Sequence, residues 1–278
     1  MELNYFQEEY LDYLKSRINL DISSFNVCFD LANGSSSVVA KKLFNDKCGS
    51  THPEKLMKKI KNEHFDFGFA FDGDADRVMM VSGNGELIDG DALMYIIAKN
   101  LKKHNKLNDN KIVITVMSNL GLKKSLKEAG IDYMEVSVGD KNVQKALKDY
   151  HLSFGGEQSG HLIFNSDLNT GDGLLSAVHI MEVLKDENKT IDELLKDYKV
   201  YPQYLENVGV SNKEALMKND GLLSFIKEKE DSLHGDGRIL VRPSGTEQLI
   251  RVMVEAKDID TCKDIVKDVA NYIKDIAY

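Results

Sequence analysis

Asp72-Gly73-Asp74-Ala75-Asp76-Arg77 places three carboxylates on alternate residues and an arginine directly after the last. Anions crowded this closely repel by ~4 kcal/mol per pair at ~4 Å and an effective dielectric near ~20. A cation among the oxygens removes that cost. Aspartate is a hard oxygen donor, so Mg2+ is the expected ion. A solvated acidic turn is the competing reading. An EF-hand starting at Asp72 is excluded, because its sixth and twelfth positions hold Arg77 and Gly83 where Gly and Glu are needed. Glycosidase chemistry needs two separated carboxyl groups flanking a sugar bond, not three on one loop.

Two further stretches carry chemistry. Gly155-Gly156-Glu157-Gln158-Ser159-Gly160-His161 frees its backbone for a sharp loop through its glycines. Glu157, Ser159 and His161 offer an acceptor, a hydroxyl and an imidazole, a set suited to sugar hydroxyls or an amine. A hairpin turn with polar filler explains it about as well. Nearer the C-terminus stands Arg242-Pro243-Ser244-Gly245-Thr246-Glu247, with Arg251 on the strand that follows. Arg242 and Arg251 can donate forked hydrogen bonds, and the Ser244 and Thr246 hydroxyls with the amides around Gly245 complete a cradle for a phosphate dianion. The bland alternative is a proline turn with a surface ion pair.

Composition narrows the partners. The 278 residues are 42% hydrophobic and 29% charged, as in an ordinary globular protein, and long enough for two or three domains. A net charge of -9 argues against nucleic acid. No apolar run reaches the ~20 residues that span a bilayer. The acidic, amphipathic N-terminal stretch is unlike a signal peptide. Cys28, Cys48 and Cys262 are odd in number and form no CxxC pair, so reduced thiols in a cytosolic protein are expected.

The elements that must position these loops alternate along the chain. Apolar spacing predicts helices over 4–18, 54–62, 92–101, 121–129, 143–150, 174–184 and 261–276. Strands are expected over 25–31, 111–117, 131–138, 237–241 and 249–255, and the aspartate loop should be a tight connection between strands. Ala32 to Ser37 forms a small-residue turn into a helix over 38–44, whose amides could face an anion. Asp89 or Asp91 should cap the helix at 92. The strand–helix alternation implies a largely parallel sheet, with ligands at the C-terminal ends of its strands. Boundaries are expected near 83–89 and 200–204.

With the three loops in hand, the chain closely resembles the α-D-phosphohexomutase family. DGDADR resembles that family's metal loop, GGEQSGH its sugar-recognition loop and RPSGTE its phosphate loop, in the same order and at similar separations. TVMSNLGL, VGDKNV, GGEQSGH and TGDGLLSA are most similar to the members that interconvert glucosamine 6-phosphate and glucosamine 1-phosphate for UDP-N-acetylglucosamine and cell-wall synthesis.

The resemblance implies mixed-sheet α/β domains over 1–87 and 88–200, followed by a smaller α+β domain over 201–278. It implies Mg2+ held by Asp72, Asp74 and Asp76, with Arg77 near the transferring phosphoryl group. Glu157 and Ser159 would position the sugar of a hexosamine phosphate. Arg242, Ser244, Gly245, Thr246 and Arg251 would hold its non-reacting phosphate. Lys141, in VGDKNV, matches a position where relatives carry a basic residue, and is carried over as an acid/base or phosphate contact; a solvated lysine competes. Family members have a further domain bearing a phosphoserine in a Ser-Ala-Ser-His-Asn-Pro type loop, and these 278 residues contain no such loop. The chain alone is therefore expected to be inactive, with a weakened metal site. A phosphoglucomutase or phosphomannomutase specificity and a non-catalytic sugar-phosphate-binding module remain the alternatives.

Overall fold

The computed structural model describes residues 5–32, 34, 39 and 53–277. The expected turn through Ser35 to Ser37 and the helix over 38–44 lie outside the described residues, apart from Val39. In order along the chain come α1 (Tyr5–Ser16), β1 (Val27–Asp30), α2 (Pro53–Glu63), β2 (Phe67–Phe71), β3 (Val78–Ser82), β4 (Leu87–Ile88) and α3 (Gly90–Lys103). Then follow β5 (Lys111–Thr115), α4 (Leu120–Glu128), β6 (Asp132–Val136), α5 (Asp140–Asp149), β7 (Phe154–Gly156), β8 (Leu162–Phe164), α6 (Gly173–Glu187) and α7 (Ile191–Leu194). The last elements are β9 (Gln203–Gly209), α8 (Lys213–Leu216), α9 (Asp220–Asp231), β10 (Arg238–Pro243), β11 (Leu249–Glu255) and α10 (Ile259–Ile276).

Two compact units emerge, one of residues 1–118 with 122–198, the other of 119–121 with 199–278. The first holds two mixed sheets. One runs β1-β2-β3-β4, with β1 and β2 parallel and the rest antiparallel. The other runs β6-β5-β7-β8, parallel except for the β7–β8 pair. The parallel expectation thus holds for three strands of the second sheet. In the first sheet β2 and β3 are antiparallel because a six-residue hairpin loop, not a crossover helix, joins them.

Strand β2 shows how composition sets the layering. Phe67, Phe69 and Phe71 alternate onto one face in the main core, where Phe71 stacks on Phe29, Phe69 packs against Phe29, and Phe67 meets Phe69 edge to face. Gly68 lies on the other, where an added Cβ would stand 2.5 Å from Ile60 Cδ1 of α2. Helix α3 is buried along residues 90–98 and joins the same core, as does α6. Its cap is Asp89, whose carboxylate accepts from the Ala92 N–H at 3.0 Å. Asp91 is instead a buried residue of the helix itself.

The second unit is the antiparallel sheet β10-β11-β9 with α9 and α10 against one face. Val208, Ile250, Val252 and Val254 point into that core with Val266, Val269 and Ile273 of α10. Strand β9 and helices α8 and α9 had no counterpart in the sequence reading. At the end of β11, Glu255 is fully buried and takes two hydrogen bonds from Arg238, at 2.7 and 3.0 Å. It also accepts from the Leu120 N–H at 2.8 Å. Asn119 exchanges hydrogen bonds with the backbone of Tyr201, both at 2.9 Å, which accounts for the grouping of residues 119–121 with this unit. Among the described residues, no helix is long and apolar enough to cross a membrane.

Deleting one side of a buried ion pair leaves the other charge uncompensated. Glu255→Ala should cost about 3–5 kcal/mol in urea unfolding. A cost below about 1 kcal/mol would show the pair to be dispensable.

Candidate functional site

The aspartate loop spans the gap between Phe71 and Val78, which pair directly across the hairpin. Ligand oxygens of Asp72, Asp74 and Asp76 lie within 4.8 Å of one another. The loop closes on itself: the Ala75 N–H donates to Asp72 O at 3.3 Å, and the Arg77 N–H donates to Asp72 Oδ1 at 3.3 Å. Arg77 folds back over its own loop, with Nε 3.7 Å from Asp72 and 3.9 Å from Asp76. Burial, followed by the neighbouring Asp76 carboxyl and the Asp74 charge, pushes the Asp72 carboxyl up to about 6. Asp76 Oδ1 is buried and accepts no hydrogen bond among the described residues. Crowded carboxylates with a buried oxygen that accepts no hydrogen bond fit an oxygen-ligated divalent cation.

Neighbouring loops hold this hairpin by close backbone approach. Val78 N–H donates to Gly160 O at 3.1 Å, and a Cβ on Gly160 would stand 2.1 Å from Val78 O. The Gly173 N–H donates to Ala75 O at 2.9 Å. Asp172, the cap of α6, accepts from Leu175 N–H at 3.0 Å and from the Tyr10 hydroxyl at 2.7 and 2.8 Å. The GGEQSGH and TGDG stretches therefore buttress DGDADR in addition to any ligand contact of their own.

His161 is the residue that joins them: the sequence offers its imidazole for a sugar, and the structure sets it against the aspartate loop. Its Nδ1 lies 3.0 Å from Asp76 Oδ2, the ring is 3% exposed, and Gly171 packs so closely that a Cβ there would stand 2.3 Å from the imidazole. The signal was present as the terminal histidine of GGEQSGH, but a partner 85 residues away has no local signature.

Glu157 is buried, and its Oε1 accepts from the Gly139 N–H at 2.9 Å. That bond ties the VGDK turn to the GGEQSGH loop. Ser159 is half-buried, and Lys141 is exposed on the first turn of α5.

The second unit carries the remaining set. Arg242 and Arg251 are direct cross-strand partners, and Asn207 of β9 continues the same row. Asn207 is a candidate that the sequence reading missed, because the strand carrying it went unrecognised. Burial, then the charge of Arg251, holds the Arg242 guanidinium below its usual range. Two like charges side by side call for an anion. Arg251 also lies 3.6 Å from Glu247 at the far end of the loop. Ser244 is buried and its Oγ accepts from the Glu247 N–H at 3.3 Å, so this hydroxyl shapes the turn. Gly245 and Thr246 are exposed, and an added Cβ on Gly245 would meet nothing within 4 Å.

With this geometry in place, the comparisons are specific. The chain matches "Phosphoglucomutase/phosphomannomutase, alpha/beta/alpha domain III" over residues 89–201 and "Phosphoglucomutase/phosphomannomutase, C-terminal domain" over residues 205–272. It belongs to the phosphoglucomutase/phosphomannomutase family. Curated relatives include the phosphoglucosamine mutases of Bacillus licheniformis, 43% identical, and Bacillus subtilis, 42% identical. Each match covers 98% of this chain and 65% of the relative, so the chain spans about two thirds of their length. A phosphoglucomutase/phosphomannomutase family protein of Burkholderia thailandensis has the same fold, with TM-score 0.76 at 20% identity over 99% of this chain and 65% of that one. An Aspergillus fumigatus N-acetylphosphoglucosamine mutase, described in complex with GlcNAc-6P and magnesium, superposes with TM-score 0.75 at 19% identity, covering 96% of this chain and 70% of its own.

Two measurements check the loop. Ala75 adopts a left-handed backbone (φ 63°), which costs a residue with a Cβ about 1–2 kcal/mol. Ala75→Gly should therefore raise stability by up to about 1 kcal/mol after the added chain entropy of glycine, seen as a higher melting temperature. A cation bound here competes with the raised Asp72 proton. Its affinity should be full well above pH 6 and fall as the pH drops through about 6. A flat titration between pH 5 and pH 8 would exclude Asp72 as a ligand.

Proposed function

We propose that this chain is the metal-, sugar- and phosphate-binding part of a phosphoglucosamine mutase, an isomerase that interconverts glucosamine 6-phosphate and glucosamine 1-phosphate through a bisphosphorylated sugar. The reading rests on one observation above the others: identity of about 40% to phosphoglucosamine mutases across 98% of the chain, with all three loops present. Its place is the cytoplasm, supplying precursor for UDP-N-acetylglucosamine and the cell wall. The domain plan is 1–87 for the metal loop, 88–200 for the sugar loop and 201–278 for the phosphate loop.

Asp72, Asp74 and Asp76 would hold Mg2+. When bound, it supplies charge neutralisation for the phosphoryl group in transfer. The remaining work belongs to the chain's own residues. Arg77 adds a positive charge on the same loop, and His161 fixes the Asp76 carboxylate. Glu157 and Ser159 orient the sugar hydroxyls and amine, with Lys141 as a nearby acid/base or phosphate contact. Arg242 and Arg251 clamp the non-reacting phosphate, assisted by the Gly245 and Thr246 amides, the Thr246 hydroxyl and the turn closed by Ser244. Phosphoryl transfer depends mostly on such positioning and electrostatics.

No Ser-Ala-Ser-His-Asn-Pro type loop occurs in these 278 residues, so they lack the phosphoryl-carrying serine of the family. In a coupled assay with glucosamine 6-phosphate and catalytic bisphosphate, the chain alone should show no turnover. Calorimetry should still detect glucosamine 6-phosphate binding that disappears in Arg242→Ala. Turnover near that of a complete mutase would overturn the inactive reading. Glucose or mannose phosphates binding in preference to glucosamine 6-phosphate would redirect the substrate assignment.

A further inference from the structure

The phosphate loop has a support that none of its own residues provides. Lys213, the first residue of α8, extends its ammonium to the loop's interior and donates to Ser244 O at 2.6 Å and to Glu247 O at 3.1 Å. Asn212 caps that helical turn, accepting from the Ala215 N–H at 3.0 Å, which fixes where the lysine starts. The half-buried side chain thus bridges both ends of the turn formed by Ser244, Gly245, Thr246 and Glu247.

Other backbone groups of the loop are also committed inward. The Ser244 N–H donates to Leu249 O at 2.9 Å, the Glu247 N–H to Ser244 Oγ at 3.3 Å, and the Val210 N–H to Gln248 O at 3.1 Å. Among the described residues, the Gly245 and Thr246 amides have no protein partner. The loop is therefore divided, with carbonyls turned toward the lysine and two N–H groups left at the open tip. A carbonyl turned the other way would present its negative end to an arriving phosphate. A charge-assisted bond to an ammonium is strong enough to decide which way the peptide faces.

We infer that Lys213 is the positioning residue of the phosphate site. It holds the Ser244 and Glu247 carbonyls away from the anion and keeps the Gly245 and Thr246 amides aimed at it. Its hydrogen bonds go to backbone carbonyls, and it brings a further positive charge to the loop. The inference rests on the phosphate-loop reading given above.

The test uses the whole 278-residue chain, titrated separately with inorganic phosphate and with glucosamine 6-phosphate while the Gly245 and Thr246 amide resonances are followed by NMR. Lys213→Met should weaken binding about tenfold, shift both amides in the free protein and leave the melting temperature within a few degrees of the parent. Lys213→Arg, which keeps the charge and two donors, should recover most of the affinity. Unchanged affinity in Lys213→Met would overturn the inference while leaving the phosphate loop intact. If Lys213→Met unfolds, Lys213→Arg decides alone: near-parental affinity supports the role, and loss of binding in a folded Lys213→Arg overturns it. A parent chain that binds neither ligand, with Arg242→Ala indistinguishable from it, would instead remove the phosphate-loop reading itself.

Discussion

Mutual repulsion of three aspartates on one hairpin loop is the constraint to which the first unit is built. Left to itself, the loop would splay until water separated the charges. The chain prevents this by bringing backbone against it from two sides. Gly160 and Gly173 allow that approach, since neither position has room for a Cβ. Gly34 acts from a third direction, for its Cβ would stand 2.2 Å from Gly73 O. His161 then fixes the last carboxylate from within the core. Concentrated negative charge is stable here because the surrounding packing is too close to let it disperse.

The second unit solves the opposite problem with the same economy. Arg242 and Arg251 are held side by side by strand pairing, which cannot slip without turning the valines of β11 out of the core. Their cost is electrostatic, and the depressed Arg242 is its sign. One unit gathers carboxylates and the other gathers guanidinium groups, each set held in place by the packing around it.

What the sequence disclosed follows from the range of the forces involved. The hairpin placement of DGDADR, the Asp89 cap, the helices over 92–101 and 174–184 and the terminal helix depend on neighbours a few residues apart, and their patterns are visible locally. The Asp76–His161 contact, the Glu157–Gly139 bond and the Lys213 bridge join residues far apart in the chain, so no spacing announces them. Ser244 illustrates a subtler gap. Its type suggested a ligand hydroxyl, but burial turns that oxygen toward Glu247. Strand β9 went unrecognised because it is an edge strand with exposed Tyr204 and Leu205, which blurs the period-two pattern.

Residues 119–121 belong with the second unit although the chain on both sides of them belongs to the first. Gly121 sits so near Lys199 O that a Cβ would stand 1.7 Å from it, and the Asn119 side-chain amide exchanges two hydrogen bonds with the Tyr201 backbone. The second unit is thus not a cassette that ends at one cut. A gene segment encoding residues 199–278 alone would leave Glu255 without the Leu120 amide and Tyr201 without its side-chain partner. Shuffling or exchange of this unit between relatives has to carry the three-residue insert with it. That requirement makes the pieces of this chain less interchangeable than their separate cores suggest.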